Sequence, residues 1–155
     1  MHTVHERFVD DVLRHFYETL KLNDAIACAG GVTSDPRLVI DLIYPLITRR
    51  ARPDLRHLYV AITDHLLLAN VLDVVSARLR LLQIWTAESI HQVLLDAAIT
   101  HKANLNQVCT VVSICILFEP SPLDPVKSMV LLGQEESCKR CENVAETIRL
   151  AHLVS

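Results

Sequence analysis

Two cysteines, Cys138 and Cys141, stand three residues apart in ESCKRCENV. That C-x-x-C spacing lets two thiolates share a zinc ion or form a redox pair. A zinc site holds such a pair in a tight turn and completes its tetrahedron with two further ligands. The chain contains no second C-x-x-C and no H-x-x-x-H. His152 is eleven residues beyond Cys141, about 16 Å along a straight helix, which one ion cannot bridge. A redox pair places its first cysteine at a helix N-terminus that follows a strand, and no strand pattern precedes Cys138. Instead Cys138, Cys141, Ala145, Ile148 and His152 recur at helical spacing, which puts both sulfurs on one apolar face. Core packing is the expected role of Cys138 and Cys141, and metal ligation is the alternative.

A second grouping is Arg49, Arg50, Arg52 and Arg56, with His57 beside it. Clustered guanidiniums can clamp phosphates, so these four arginines are candidate nucleic-acid or phosphate ligands. The competing reading is a helix end, where cations are stabilised by the partial negative charge of the last carbonyls. No aromatic residue lies within the cluster to stack a base, and Tyr59 is the nearest. The eight histidines form no zinc-protease pattern. His65 and His101 fall on or beside apolar stripes and are expected to be partly buried, whereas His15, His57 and His91 are expected at the surface. There is no G-x-S-x-G elbow and no glycine-rich phosphate loop. The expectation is therefore a non-enzymatic protein with no catalytic residues and no cofactor.

The elements that position these residues are helices. Only three glycines occur in 155 residues and no period-2 pattern is sustained. Thr3 and Glu6 form a capping-box pattern that opens a helix reaching about Lys21. Asn23 can cap a short helix ending at Gly30 and Gly31. Asp35 and Pro36 start the next one, which Pro45 should bend or end early. Arg52 and Pro53 mark a further start, after which Leu55, Leu58, Ile62, Leu66 and Ala69 share a face. A straight helix from 53 to 85 would be about 48 Å long, so a break or bend is expected near Asn70. Thr86 caps the next helix, and Asn104 with Gln107 forms a capping box ahead of the apolar run Val108 to Phe118. That run is apolar almost all round and should lie at the centre. EPSPLDP, residues 119–125, is an extended connector and candidate hinge. Asp124 and Pro125 then open a brief helix that Gly133 ends, and a last helix runs from about Gln134 to Leu153.

The fold class expected is all-α: one domain over residues 1–155, a compact bundle of about seven or eight short helices around a central apolar helix near 104–118. The layout is similar in outline to that of Bcl-2-type helical regulators, including small viral versions. The Asn-Trp-Gly-Arg motif of that family is missing, and the only tryptophan, Trp85, lies in QIWTAE.

Composition sets the function classes. Apolar residues make up 51% of the chain and the mean hydropathy is +0.30, more than one domain of this size has to bury. The surplus points to a protein partner or a second copy of the chain. The net charge is −3, so any attraction to nucleic acid must come from a local patch. Arginine outnumbers lysine eleven to four, which suits planar, bidentate contacts. Val108 to Phe118 is too short to span a bilayer, which takes about 20 residues. The start, MHTVHERFVDD, lacks the segments of a secretion signal, and five cysteines in mostly apolar surroundings suit a reducing compartment. The leading expectation is an intracellular regulatory or accessory protein, viral ones included, that binds partner proteins through apolar helix surfaces and self-associates as a homodimer or larger oligomer. The alternative is a helical nucleic-acid-binding protein that uses Arg49 to Arg56.

Overall fold

The computed structural model describes residues 22–154 apart from 31, 34 and 49–52. The helix expected before Lys21 lies outside these residues. So do three of the clustered arginines, Arg49, Arg50 and Arg52.

Among the described residues the chain is all-helical, with eight helices and no strand. They are α1 (Leu22–Gly30), α2 (Pro36–Ile47), α3 (Leu55–Ala61), α4 (His65–Leu81), α5 (Ala87–Thr100), α6 (Leu105–Leu117), α7 (Pro125–Leu132) and α8 (Gln134–Val154). Most boundaries are written locally. The Asp35 carboxylate accepts from the Arg37 amide with Pro36 in the first turn, and Thr86 and Ser89 cap one another's backbone. Asn104 and Gln107 do the same, each arrangement satisfying amides that a helix start leaves open. Asp124 accepts from Val126 and Lys127 to open α7, which closes at Gly133 with φ of 86°, a conformation glycine adopts without steric cost.

Two expectations need correction. The break falls at Ile62–Asp64, not near Asn70, and the chain bends there by 105° between α3 and α4. Asp64 causes it, because its carboxylate accepts from the amides of Leu66 and Leu67 and so starts a new helix. The shared face of Leu58, Ile62 and Leu66 is therefore interrupted: Leu58 and Ile62 are buried, while Leu66 is 70% exposed. Second, α1 takes in Leu22 and Asn23, so Asn23 lies inside its first turn. Pro45 stands inside α2, which ends two residues later at Ile47; without an amide hydrogen it forfeits its own bond of the ladder.

Helix α6 forms the centre. Val108, Val111, Val112, Ile114, Cys115, Ile116 and Leu117 are all buried, and α6 packs against every other described helix except α1. One contiguous apolar cluster extends from Ala25 to Ile148. The most extensive pairing is between α4 and α8. Arg80 bonds Glu135 and Glu142 near the start of α8, and Asp73 meets Arg149 seven residues further along it, so the two helices run antiparallel. Gln134 completes the junction by donating its amide to the carbonyls of Leu79 and Leu82, at 3.0 and 2.9 Å. Elsewhere the Trp85 indole donates to the Met129 carbonyl at 2.9 Å, which ties the α4–α5 turn to α7. Leu123, buried, anchors the proline-rich connector. Among the described residues no single helix is long and apolar enough to cross a membrane.

Candidate nucleic-acid interface

The segment CKRC sits in α8, whose wide buried face includes Cys138, Cys141, Val144, Ala145 and Ile148. Both sulfurs point into the core, as their spacing with Ala145 and Ile148 requires. His152 has no described side chain. The Cys141 thiol faces that of Cys115 on α6, and their hydrogen bond, with burial second, holds Cys115 well above the usual thiol range. Burial is the first cause that pushes Cys138 up, to about 11, against the opposing pull of Arg80. Cys28 and Cys109 are also raised, again by burial first. A thiol must lose its proton to ligate a metal or attack, so these environments favour packing. Among the described residues no group of three or more His, Cys, Asp or Glu is placed to hold an ion.

The residues between the cysteines behave differently. Arg140 is only 6% exposed and its guanidinium is a junction for three helices. One nitrogen, Nη1, donates to the carbonyls of Pro45 and Ile116, each at 2.6 Å. The other, Nη2, donates to Thr48 at 2.7 Å, and Nε donates to the Glu136 carboxylate one turn earlier at 3.0 Å. Pro45 and Thr48 lie at the end of α2 and Ile116 near the end of α6. Helix ends carry partial negative charge on unpaired carbonyls, so a buried cation is favoured there.

Phe118, the C-cap of α6, is held beside it. Its backbone is left-handed, with φ of 71° and ψ of −15°, a conformation that costs a residue with a side chain about 1–2 kcal/mol. The Arg140 guanidinium lies 4.8 Å from the ring centroid, within the range of a cation–π contact. The Phe118 carbonyl in turn accepts from the Asp54 amide at 3.4 Å, which brings in the start of α3.

These contacts form the floor of a cleft of about 490 Å³. Pro53 and Leu55 form one side, Cys115 and Phe118 the base, and α8 from Glu136 to Leu150 the other side. Lys139 and Asn143 are exposed on this α8 wall, one turn apart, with Glu146 following. Among the described residues the side chains of Lys139, Asn143 and Glu146 hold no hydrogen bond or ion pair, whereas Glu136 is bonded to Arg140. The cleft thus has an aromatic floor and uncommitted polar groups on one wall.

The structure describes only Arg56 of the four candidate arginines. It stands exposed at the start of α3 and is held by Asp54 through Nε and Nη2, the latter at 2.8 Å. The hydrogen bonds from Arg56 lower the Asp54 carboxyl to about 2, and the same carboxylate accepts from the Arg56 amide to cap α3. The flanking residues of the undescribed arginines, Thr48 and Pro53, are respectively bonded to Arg140 and part of the cleft wall. Of the histidines, His65 is exposed and not partly buried as expected, because it opens α4 at the α3–α4 bend, where it tilts against Tyr59 with centroids 4.5 Å apart. His101 is half-buried at the end of α5.

Sequence reasoning missed Arg140, Phe118, Lys139 and Asn143. The available signal was the Glu136, Arg140, Val144 series at steps of four, which places a charge pair in line with a buried valine. The cysteines beside it drew the reading instead.

No curated protein matches this chain. A family does match, the anticodon binding domain, over residues 60–145. That stretch takes in the end of α3, all of α4 to α7 and the first half of α8, and with them Phe118, Lys139, Arg140 and Asn143. The match covers more than half of the chain, and the protein belongs to the anticodon binding domain family.

Proposed function

We propose that this chain binds RNA, in particular the single-stranded anticodon region of a transfer RNA, as a helical binding module without chemistry of its own. The observation that carries the reading is the family match over residues 60–145, which includes the base of the cleft and its uncommitted Lys139 and Asn143. Unpaired RNA loops present splayed bases that proteins take up on aromatic and amide side chains. A half-open cleft with Phe118 at its base suits such a ligand. Backbone phosphates would be met by Lys139 and by the arginines Arg49, Arg50 and Arg52 that precede Pro53 in the chain. With a net charge of −3, the attraction has to be local.

The test is fluorescence anisotropy of a labelled transfer-RNA anticodon stem-loop across a salt series. The reading expects binding that weakens steeply with salt, because each phosphate neutralised releases counterions. It expects Lys139→Glu, and separately Arg49→Glu with Arg52→Glu, to reduce affinity by about tenfold or more, about 1.4 kcal/mol. No binding at low salt, or binding indifferent to all three changes, overturns it.

A second reading has its own observation. Val60, Leu66, Leu81, Ile84 and Ile99 are each more than two-thirds exposed, which supports a role in binding a protein partner or a second copy of the chain. Solution mass over a concentration series separates the two. A dimer that survives the arginine substitutions and dissociates on Val60→Glu with Leu66→Glu supports the second reading, and a monomer at every concentration counts against self-association.

A further inference from the structure

The charges in the cleft are balanced, with Lys139 and Arg140 against Glu136 and Glu146. Arg140 and Glu136 are already bonded to each other, and Arg140 spends its other donors on three carbonyls. What the cleft offers an incoming ligand is therefore Lys139, the Asn143 amide, the Glu146 carboxylate and the Phe118 ring. Lys139 is the phosphate-binding member of that set, and Asn143, Glu146 and Phe118 are suited to the edge and face of a base. Phosphate contacts position a nucleic acid, whereas contacts to base edges specify it.

We infer that the cleft seats one unstacked base of the RNA over Phe118, and that Asn143 and Glu146 read its edge in favour of bases bearing an exocyclic amine. This rests on the RNA-binding reading above. An ionised carboxylate only accepts hydrogen bonds. Adenine and cytosine offer it an amine, and guanine offers an amine beside a ring N–H, whereas uracil flanks its single N–H with two carbonyl oxygens that a carboxylate repels. The Asn143 amide, one turn before Glu146 on the same wall, supplies a donor and an acceptor together and completes the match to an amine beside a ring nitrogen. Phe118 supplies the stacking surface. Arg140 acts through Phe118 as a positioning residue: its guanidinium against the ring and its bond to the Ile116 carbonyl fix the left-handed turn that holds the ring at the cleft base. The volume of about 490 Å³ lies in the range of pockets that take up small ligands. Room for a base is therefore present.

The experiment uses the full chain and four pentaribonucleotides, UUXUU with X as A, C, G or U, followed by competition against a labelled anticodon stem-loop. The three amine-bearing probes are expected to bind roughly 5- to 150-fold more tightly than UUUUU, the span of one well-made base contact. Asn143→Ala and Glu146→Gln are each expected to shrink that ratio severalfold while leaving the slope of log affinity against log salt unchanged, since that slope counts phosphates. Glu146→Gln is nearly isosteric at an exposed position, so loss of fold does not cloud its result. Equal binding of all four probes by the unaltered chain overturns the inference and leaves the RNA reading intact. So does an Asn143→Ala or Glu146→Gln chain that weakens every probe alike and lowers the salt slope, because the altered residue would then act on the phosphates and not on the base. No binding of any probe or of the stem-loop overturns both readings.

Discussion

Arg140→Met tests the junction at the cleft base. Methionine keeps most of the side-chain volume and removes every donor. Three carbonyl oxygens, those of Pro45, Thr48 and Ile116, lose their partner, and the Glu136 carboxylate loses its cation. The Ile116 bond is buried, and a buried acceptor left unpaired costs about 1–3 kcal/mol. The Pro45 and Thr48 bonds are only part-buried, so water can replace some of what they lose. The ring contact with Phe118 contributes about 0.5–1 kcal/mol. The sum falls at about 3–5 kcal/mol, the same range as removal of one partner from a buried ion pair. For a domain of this size each kcal/mol lowers the melting temperature by about 2–4 °C, so a fall of about 6–20 °C is expected. Glu136→Gln is the control, since it leaves all three carbonyl bonds in place and should cost about 1 kcal/mol. Circular dichroism melts at pH 7 decide the matter. If Arg140→Met melts within about 3 °C of the unaltered chain, or if Glu136→Gln costs as much as Arg140→Met, the junction does not hold the three helix ends as argued.

Other consequences are separable. Gln134→Ala removes the donor shared by the Leu79 and Leu82 carbonyls at the end of α4 and should cost about 1 kcal/mol in a melt, with little dependence on salt. Arg80→Met should cost a similar amount at low salt and less at high salt, because its two ion pairs are partly exposed and screened. The Asp54 carboxyl is lowered from 3.8 to about 2 by Arg56, so its contribution to stability is present above pH 4 and lost as the pH falls toward 2. The melting difference between the unaltered chain and Asp54→Asn should accordingly close across that window, and a constant difference from pH 6 to pH 2 would contradict it. Thiol titration with a coloured disulfide reagent at pH 8 should label half-buried Cys28 and Cys109 well before the buried Cys115, Cys138 and Cys141. Labelling of Cys138 or Cys141 first would show that the α8 face is open.

Helix ends were the most legible part of the sequence, because the groups that set them are neighbours in the chain. Thr86, Asn104 and Gln107, Asp124 with Pro125, and Gly133 each act on backbone within four residues, and all are found where the spacing predicts. The inward thiols of Cys138 and Cys141 were legible for the same reason, as periodicity alone assigns their face. The bend at Ile62–Asp64 was misplaced because the apolar pattern continues nearly in phase across it, and a single capping aspartate outweighs that pattern. The cleft was the least legible. Arg140 takes its three carbonyl partners from 24, 92 and 95 residues away, so the local signal of its burial was no more than the four-residue series through Glu136 and Val144. Phe118 likewise enters a left-handed turn without the glycine that would mark one. Its strain is offset by the contacts of the assembled fold, which no short window of sequence contains.

The proposed RNA contact lies at the α8 wall and the Phe118 end of α6. An NMR titration of the isotope-labelled chain with an anticodon stem-loop tests it residue by residue. Amide shifts are expected to concentrate at Phe118 and from Lys139 to Thr147 and to saturate with the affinity seen by anisotropy. Shifts confined to exposed apolar residues that do not line the cleft, such as Val60, Leu66 and Ile99, or an unchanged spectrum at saturating RNA, would contradict it.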